Sequence, residues 1–114
     1  MNNFMQFVLF LHMISFKDFQ QSLNASAPPS ELSLYLQSLW YDGKGDWNKA
    51  HTTIQDIEDL PAGRQGKTAA WIHAYLHRKE GDIGNADYWY SKAGKKRPDI
   101  TLKEEWENIV KVLI

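Results

Sequence analysis

The chain has no cysteine. Disulfides, thiolate metal sites and cysteine nucleophiles are excluded, and the redox compartment is left open. Charge of one sign is also missing: 13 Lys and Arg stand against 14 Asp and Glu, a net charge of −1. Such a balance gives no strong steering toward nucleic acid or an anionic membrane, so no nucleic-acid partner is expected. Ser–His–Asp spacings, paired-carboxylate signatures and glycine-rich dinucleotide loops are absent, and no cofactor is expected. Proline is scarce, with four residues. Long hydrophobic runs are lacking too. The longest mostly apolar stretch, Phe4 to Phe16, is too short to span a bilayer. It also has no Lys or Arg ahead of it, and Ala25-Ser26-Ala27 is too distant to serve as a leader cleavage site. Three readings of this stretch stay open: a buried N-terminal helix, upstream sequence with Met13 as the true start, or a membrane-surface anchor. A cytoplasmic location is expected.

The 114 residues suffice for a single domain, and 43% hydrophobic content suffices for a modest core. Five each of Trp, Tyr and Phe supply large burial for a small chain. The strongest pattern is an echo. Gly45-Asp46 recurs as Gly81-Asp82, 36 positions on, and Ala50, Ile54 and Ile57 recur as Ala86, Tyr90 and Ala93. A repeat of that period, carried by apolar residues three and four apart, is the mark of stacked helical hairpins.

The element boundaries follow from caps and breakers. An N-terminal helix and linker occupy 1–30, with Ser15 capping Phe16 to Leu23 and Pro28-Pro29 closing the linker. Repeat 1 covers 31–60: a helix from Glu31 to Asp42 capped by Ser30, a Gly43–Gly45 turn, and a helix capped by Asp46 and stopped by Leu60-Pro61-Ala62-Gly63. Repeat 2 covers 67–98: a helix from Lys67 to Glu80, a Gly81 turn, and a helix capped by Asp82 that stops at Gly94. A capping helix at 101–113 opens on Thr101 and Glu104, a capping box, and buries Leu102, Trp106, Ile109, Val110 and Leu113. Ala50 and Ala86 belong where paired helices cross, since a larger side chain would part the axes. The fold class expected is all-α.

Gly81-Asp82-Ile83, Ala86, Tyr90, Ala93 and Pro98 resemble the tetratricopeptide repeat, as do, more loosely, Gly45-Asp46-Trp47, Ala50, Ile54, Ile57 and Pro61. The resemblance covers about residues 31 to 98. It implies a short α-solenoid of two such units with flanking helices, and a scaffold that binds a protein or peptide. Where the family usually buries a Trp, a Leu, a small residue and a Tyr, repeat 2 has Ala70, His73, Ala74 and His77. Its apolar stripe is turned toward Trp71 and Tyr75. The groove is then either filled by a terminal helix or left as an aromatic surface formed by Tyr35, Leu39, Trp71 and Tyr75. The stretch from Ala70 to Gly94 is also similar to a group of small microbial helical-repeat proteins, which brings no activity with it.

The first functional reading is therefore a non-enzymatic module for a protein or peptide partner, or for a second copy of itself. The alternative is a small enzyme or metal-binding protein built on His73, His77, Glu80 and Asp82. His73 and His77 lie four apart on one helix face, and Glu80 follows within a turn. A third ligand has to come from His51, Asp87 or Glu80. The zinc-peptidase pattern is absent, because Ala74 stands where a Glu is required. Histidines packed between helices can also simply bond a carboxylate or carbonyl. Three further features have plain explanations. Pro61 to Thr68 imitates a phosphate loop but lacks its first glycine and a preceding strand. Tyr88-Trp89-Tyr90 places Tyr90 in the core, Trp89 against a neighbouring helix and Tyr88 outward. Lys92, Lys95, Lys96 and Arg97 offset a negative helix end.

Overall fold

The computed structural model describes residues 14–58 and 64–114. Among these residues the chain is all-helical: α1 Phe16–Ser22, α2 Leu34–Gly43, α3 Trp47–Glu58, α4 Arg64–Lys79, α5 Ile83–Lys92 and α6 Leu102–Leu113. Apart from its last residues, the Phe4–Phe16 stretch lies outside the described residues, as do the proposed stop at Leu60–Gly63 and residues 61–63 of the phosphate-loop mimic. No described helix is long and apolar enough to cross a membrane.

Most caps fall where side-chain chemistry puts them. Ser15 and Asp18 form a reciprocal capping box on α1, as do Thr101 and Glu104 on α6. Asp46 accepts the N–H of Lys49, and Asp82 that of Asn85. One cap differs from expectation. α2 starts at Leu34, and its cap is Ser33, whose hydroxyl accepts the Leu36 N–H at 3.2 Å. Ser30 is not the cap because the chain first makes a turn there, closed by the Leu32 N–H on the Pro29 carbonyl.

The echo in the sequence is an echo in the backbone. Gly45 and Gly81 sit at φ +85° and +88°, a region that costs glycine little and other residues much. Past each glycine the aspartate N–H reaches back to a carbonyl of the preceding helix, Asp46 to Tyr41 at 2.9 Å and Asp82 to His77 at 3.0 Å. The same closure recurs at Gly94, with Lys95 N–H on Tyr90. These turns fold α2 against α3 and α4 against α5, and α3 packs on α4. Ala50 and Ala86 are fully buried at the crossings. At the first of these, the Ser38 hydroxyl donates to the Ala50 carbonyl at 2.8 Å.

α6 lies across α2 and α4. Trp106 donates its indole N–H to the Leu39 carbonyl at 3.0 Å and meets Phe16 and Phe19 of α1 through its ring. Beside it, Glu105 is 1% exposed yet well partnered. Its carboxylate accepts from Arg78 at 2.8 Å, from the Tyr90 hydroxyl at 2.7 Å and from the Trp71 indole at 3.3 Å. Asp42 makes a similar buried junction, accepting from the Tyr75 hydroxyl at 2.7 Å and from Lys79 at 2.9 Å. Burial, with the adjoining carboxylates, pushes the Tyr75 and Tyr90 hydroxyls far up, so both remain donors.

These two neighbouring glutamates make a direct comparison. Glu105→Ala strands the Arg78 guanidinium and two further donors, and is expected to cost about 3–5 kcal/mol. Glu104→Ala removes one half of an exposed capping box and should cost about 1 kcal/mol or less. Urea unfolding of both variants checks this, and equal costs would refute the role given to Glu105.

Candidate metal centre

Two histidines come from α4 and one from α3. His73 and His77, a turn apart, stack with ring centres 4.6 Å apart. His51 approaches from α3, and its Nε2 lies 2.9 Å from Nε2 of His73. One of those nitrogens must carry a proton and the other a lone pair, so at most one of the two rings can be cationic. The His51 and His77 rings are 5.1 Å apart. The three residues can each offer a ring nitrogen such that all lie within 4.8 Å of one another.

The rings are held from outside. Trp47, a turn before His51 on α3, stacks on it at 4.8 Å and 10°, and is itself fixed by its N–H on the Leu76 carbonyl at 2.7 Å. Trp89 of α5 stacks on His73 at 4.1 Å and 17°. His77 meets the Glu80 carboxylate through Nδ1 at 2.5 Å. A carboxylate only accepts, so Nδ1 carries a proton. The Asn85 amide nitrogen lies 3.4 Å from Nε2 and can only donate, so Nε2 meets it with a lone pair. A carboxylate behind a histidine in this way fixes the tautomer and raises the basicity of the opposite nitrogen.

Burial decides the charge. His73 is almost enclosed, and its pKa is held down to about 3, first by loss of solvent and then by the neighbouring His77 and His51. His51, half-buried, is lowered chiefly by burial and then by His77, with Glu80 opposing. Neutral imidazoles are the form that binds metal ions. A second group, His77 with Glu80 and Asp82, also meets the distance condition. Its carboxylates are exposed, Asp82 caps α5, and Glu80 is engaged by His77.

The structure thus brings His73 and His77 together with His51, one of the three candidates for a third ligand. Asp87 is elsewhere, paired with Arg97 at 2.9 Å. Glu80 stands behind His77 rather than beside the other rings. The surface expected from Tyr35, Leu39, Trp71 and Tyr75 is not open, which corrects that reading. Leu39 is 0% and Tyr75 2% exposed, because α6 occupies the groove. Trp71 is half-buried, bonded to Glu105 and covered by Lys95 at 4.2 Å. Tyr35 is half-buried against the core. Gly66-Lys67-Thr68 lies within α4, which begins at Arg64. Trp89 packs on a neighbouring helix, Tyr90 is buried and Tyr88 is exposed, as expected. Sequence reasoning missed Trp47 and Asn85 as neighbours of the three rings. The spacing of Trp47 and His51, four apart on a helix, was the available signal.

Comparison with protein-family models, with curated proteins and with solved structures found no match for this chain.

Neutral burial of His73 has a consequence for the metal-free chain. Its pKa is 6.5 when unperturbed and about 3 when folded. Between those values the unfolded chain binds more protons, so this contribution to stability is complete above 6.5 and is lost as pH falls toward 3. In urea unfolding between about pH 4 and pH 7, His73→Leu should show a shallower dependence on pH than the native chain. Parallel curves would reject this account.

Proposed function

We propose that this chain is a small helical protein that binds a divalent transition-metal ion through His51, His73 and His77. The observation that carries the proposal is the convergence of three histidines from two helical hairpins, with ring nitrogens within 4.8 Å. Tetrahedral sites with metal–nitrogen bonds of about 2.0–2.1 Å separate neighbouring ligand atoms by about 3.3 Å. The 2.9 Å contact of His51 with His73 needs to open only slightly to reach that spacing. Glu80 supports the reading by orienting His77. The donor set is imidazole nitrogen, which suits zinc, cobalt, nickel or copper and not calcium or magnesium.

On this reading the scaffold is the short α-solenoid that the tetratricopeptide-like residues imply. Two hairpins with matching Gly-Asp turns stack through α3 and α4, and α1 and α6 flank them. The ion bridges the hairpins, because His51 belongs to the first and His73 and His77 to the second. Recognition of a peptide through Leu39 and Tyr75 is not favoured, since α6 would first have to leave.

Calorimetric titration with zinc or cobalt tests the proposal. The native chain should take up one ion. Each of His51→Ala, His73→Ala and His77→Ala should weaken binding at least about 100-fold with helical circular dichroism retained, and Glu80→Gln should weaken it about 10- to 100-fold. Zinc at about 100 times its dissociation constant should stabilise the native chain by about 2.7 kcal/mol. The absence of uptake, or equal uptake by a variant lacking all three histidines, defeats the proposal.

A further inference from the structure

His77 has one nitrogen committed to Glu80, which leaves Nε2 to the ion, and Nε2 is the atom toward which the Asn85 amide donates at 3.4 Å. An ion seated on that lone pair deprives the Asn85 N–H of its acceptor. The amide cannot withdraw into solvent at no cost, because Asn85 is half-buried and sits on the first turn of α5, where Asp82 accepts its backbone N–H. The displaced N–H would therefore stay next to an ion bound at Nε2, within reach of an atom taking the coordination position that three histidines leave open.

The chemistry of the surroundings says what that position accepts. His51, Trp47, Trp89 and Asn85 are all half-buried, so the cluster reaches solvent between α3 and α5 rather than being sealed. The two indoles face imidazole rings with their planes, and the Trp47 N–H is already spent on the Leu76 carbonyl. A side-chain donor unengaged once the ion binds is thus Asn85. A donor beside a cation favours a ligand atom that is anionic and accepts hydrogen bonds.

Building on the metal-site reading, we infer that the bound ion carries an exogenous oxygen ligand, a small carboxylate or oxyanion, and that Asn85 selects it by donating a hydrogen bond to that oxygen. Asn85 is a positioning residue for the anion and not a ligand of the ion. The three imidazoles supply affinity for the metal; the amide supplies preference among the ligands that complete its shell. This division separates the effect of substituting Asn85 from that of substituting a histidine.

The probe is cobalt, whose visible absorption reports its coordination shell, followed by acetate. Cobalt is titrated first into the native chain, Asn85→Ala and Asn85→Ser, with helical circular dichroism as the check on folding. All three are expected to bind cobalt within about 3-fold of one another. Acetate is then added to each loaded protein. The native spectrum should shift and saturate, and both variants should bind acetate at least 5-fold more weakly. A native spectrum unmoved by acetate overturns the inference, as does equal acetate affinity in the variants. Loss of cobalt affinity by more than 10-fold in both folded variants also overturns it, because Asn85 would then be ligating the ion itself. Failure of the native chain to bind cobalt at all is read before acetate is added; it removes the metal site, and the anion with it.

Discussion

A buried carboxylate holds this arrangement in place. Taking the Glu105 charge out of water is costly unless several donors replace the lost solvent. Here the donors are Arg78 and Trp71 of α4 and Tyr90 of α5. Arg78 is itself oriented by a second bond, to the Ile100 carbonyl just before α6. One residue on, Trp106 points roughly 100° away around the helix and donates to Leu39 of α2. Two successive side chains of α6 thereby grip both hairpins, and the groove between them is closed. The remaining large contacts, Ile109 and Val110 among them, add apolar burial to an orientation that the polar pair determines.

Closure of the groove has a counterpart on the other side of α4. Trp71, Tyr75 and Arg78 share one face of that helix, turned to α6 and α2. His73 and His77 share the opposite face, turned to α3 and α5. α4 is buried along both, as the near-zero exposure of Ile72, Ala74 and Leu76 also shows. Polar atoms inside such an environment must find partners, and among the described residues no buried side-chain nitrogen or oxygen lacks one. The histidines meet the requirement through one another, through Glu80 and through Asn85. That solution leaves His73 neutral, the three rings close together and His51 near the surface. These are the properties a metal-binding cluster needs.

Much of the framework was legible in the residues. Gly-Asp before two helices, alanine at two crossings and the Thr101–Glu104 box each act within a few residues, so each could be read locally. The turn at Pro29–Leu32 was less legible, because Ser30 and Ser33 are chemically equal caps. Which one serves depends on whether the prolines are followed by helix or by a turn. At the site, the spacing of His73 and His77 was plain. The choice of His51 over Asp87 or Glu80 was not, since it depends on how α3 lies against α4.

The sequence by itself determined that the chain is helical, where its glycine turns fall, and that two histidines share a helix face, because these follow from interactions over one to four residues. Tertiary structure alone decided that α6 fills the groove, that Leu39 and Tyr75 are buried rather than displayed, and that His51 completes the trio. The physical reason is distance along the chain. The bonds responsible, Glu105 to Arg78, Trp106 to Leu39 and His51 to His73, join residues 27, 67 and 22 positions apart. No local periodicity encodes such pairings; they arise when packed helices must satisfy every polar group they bury.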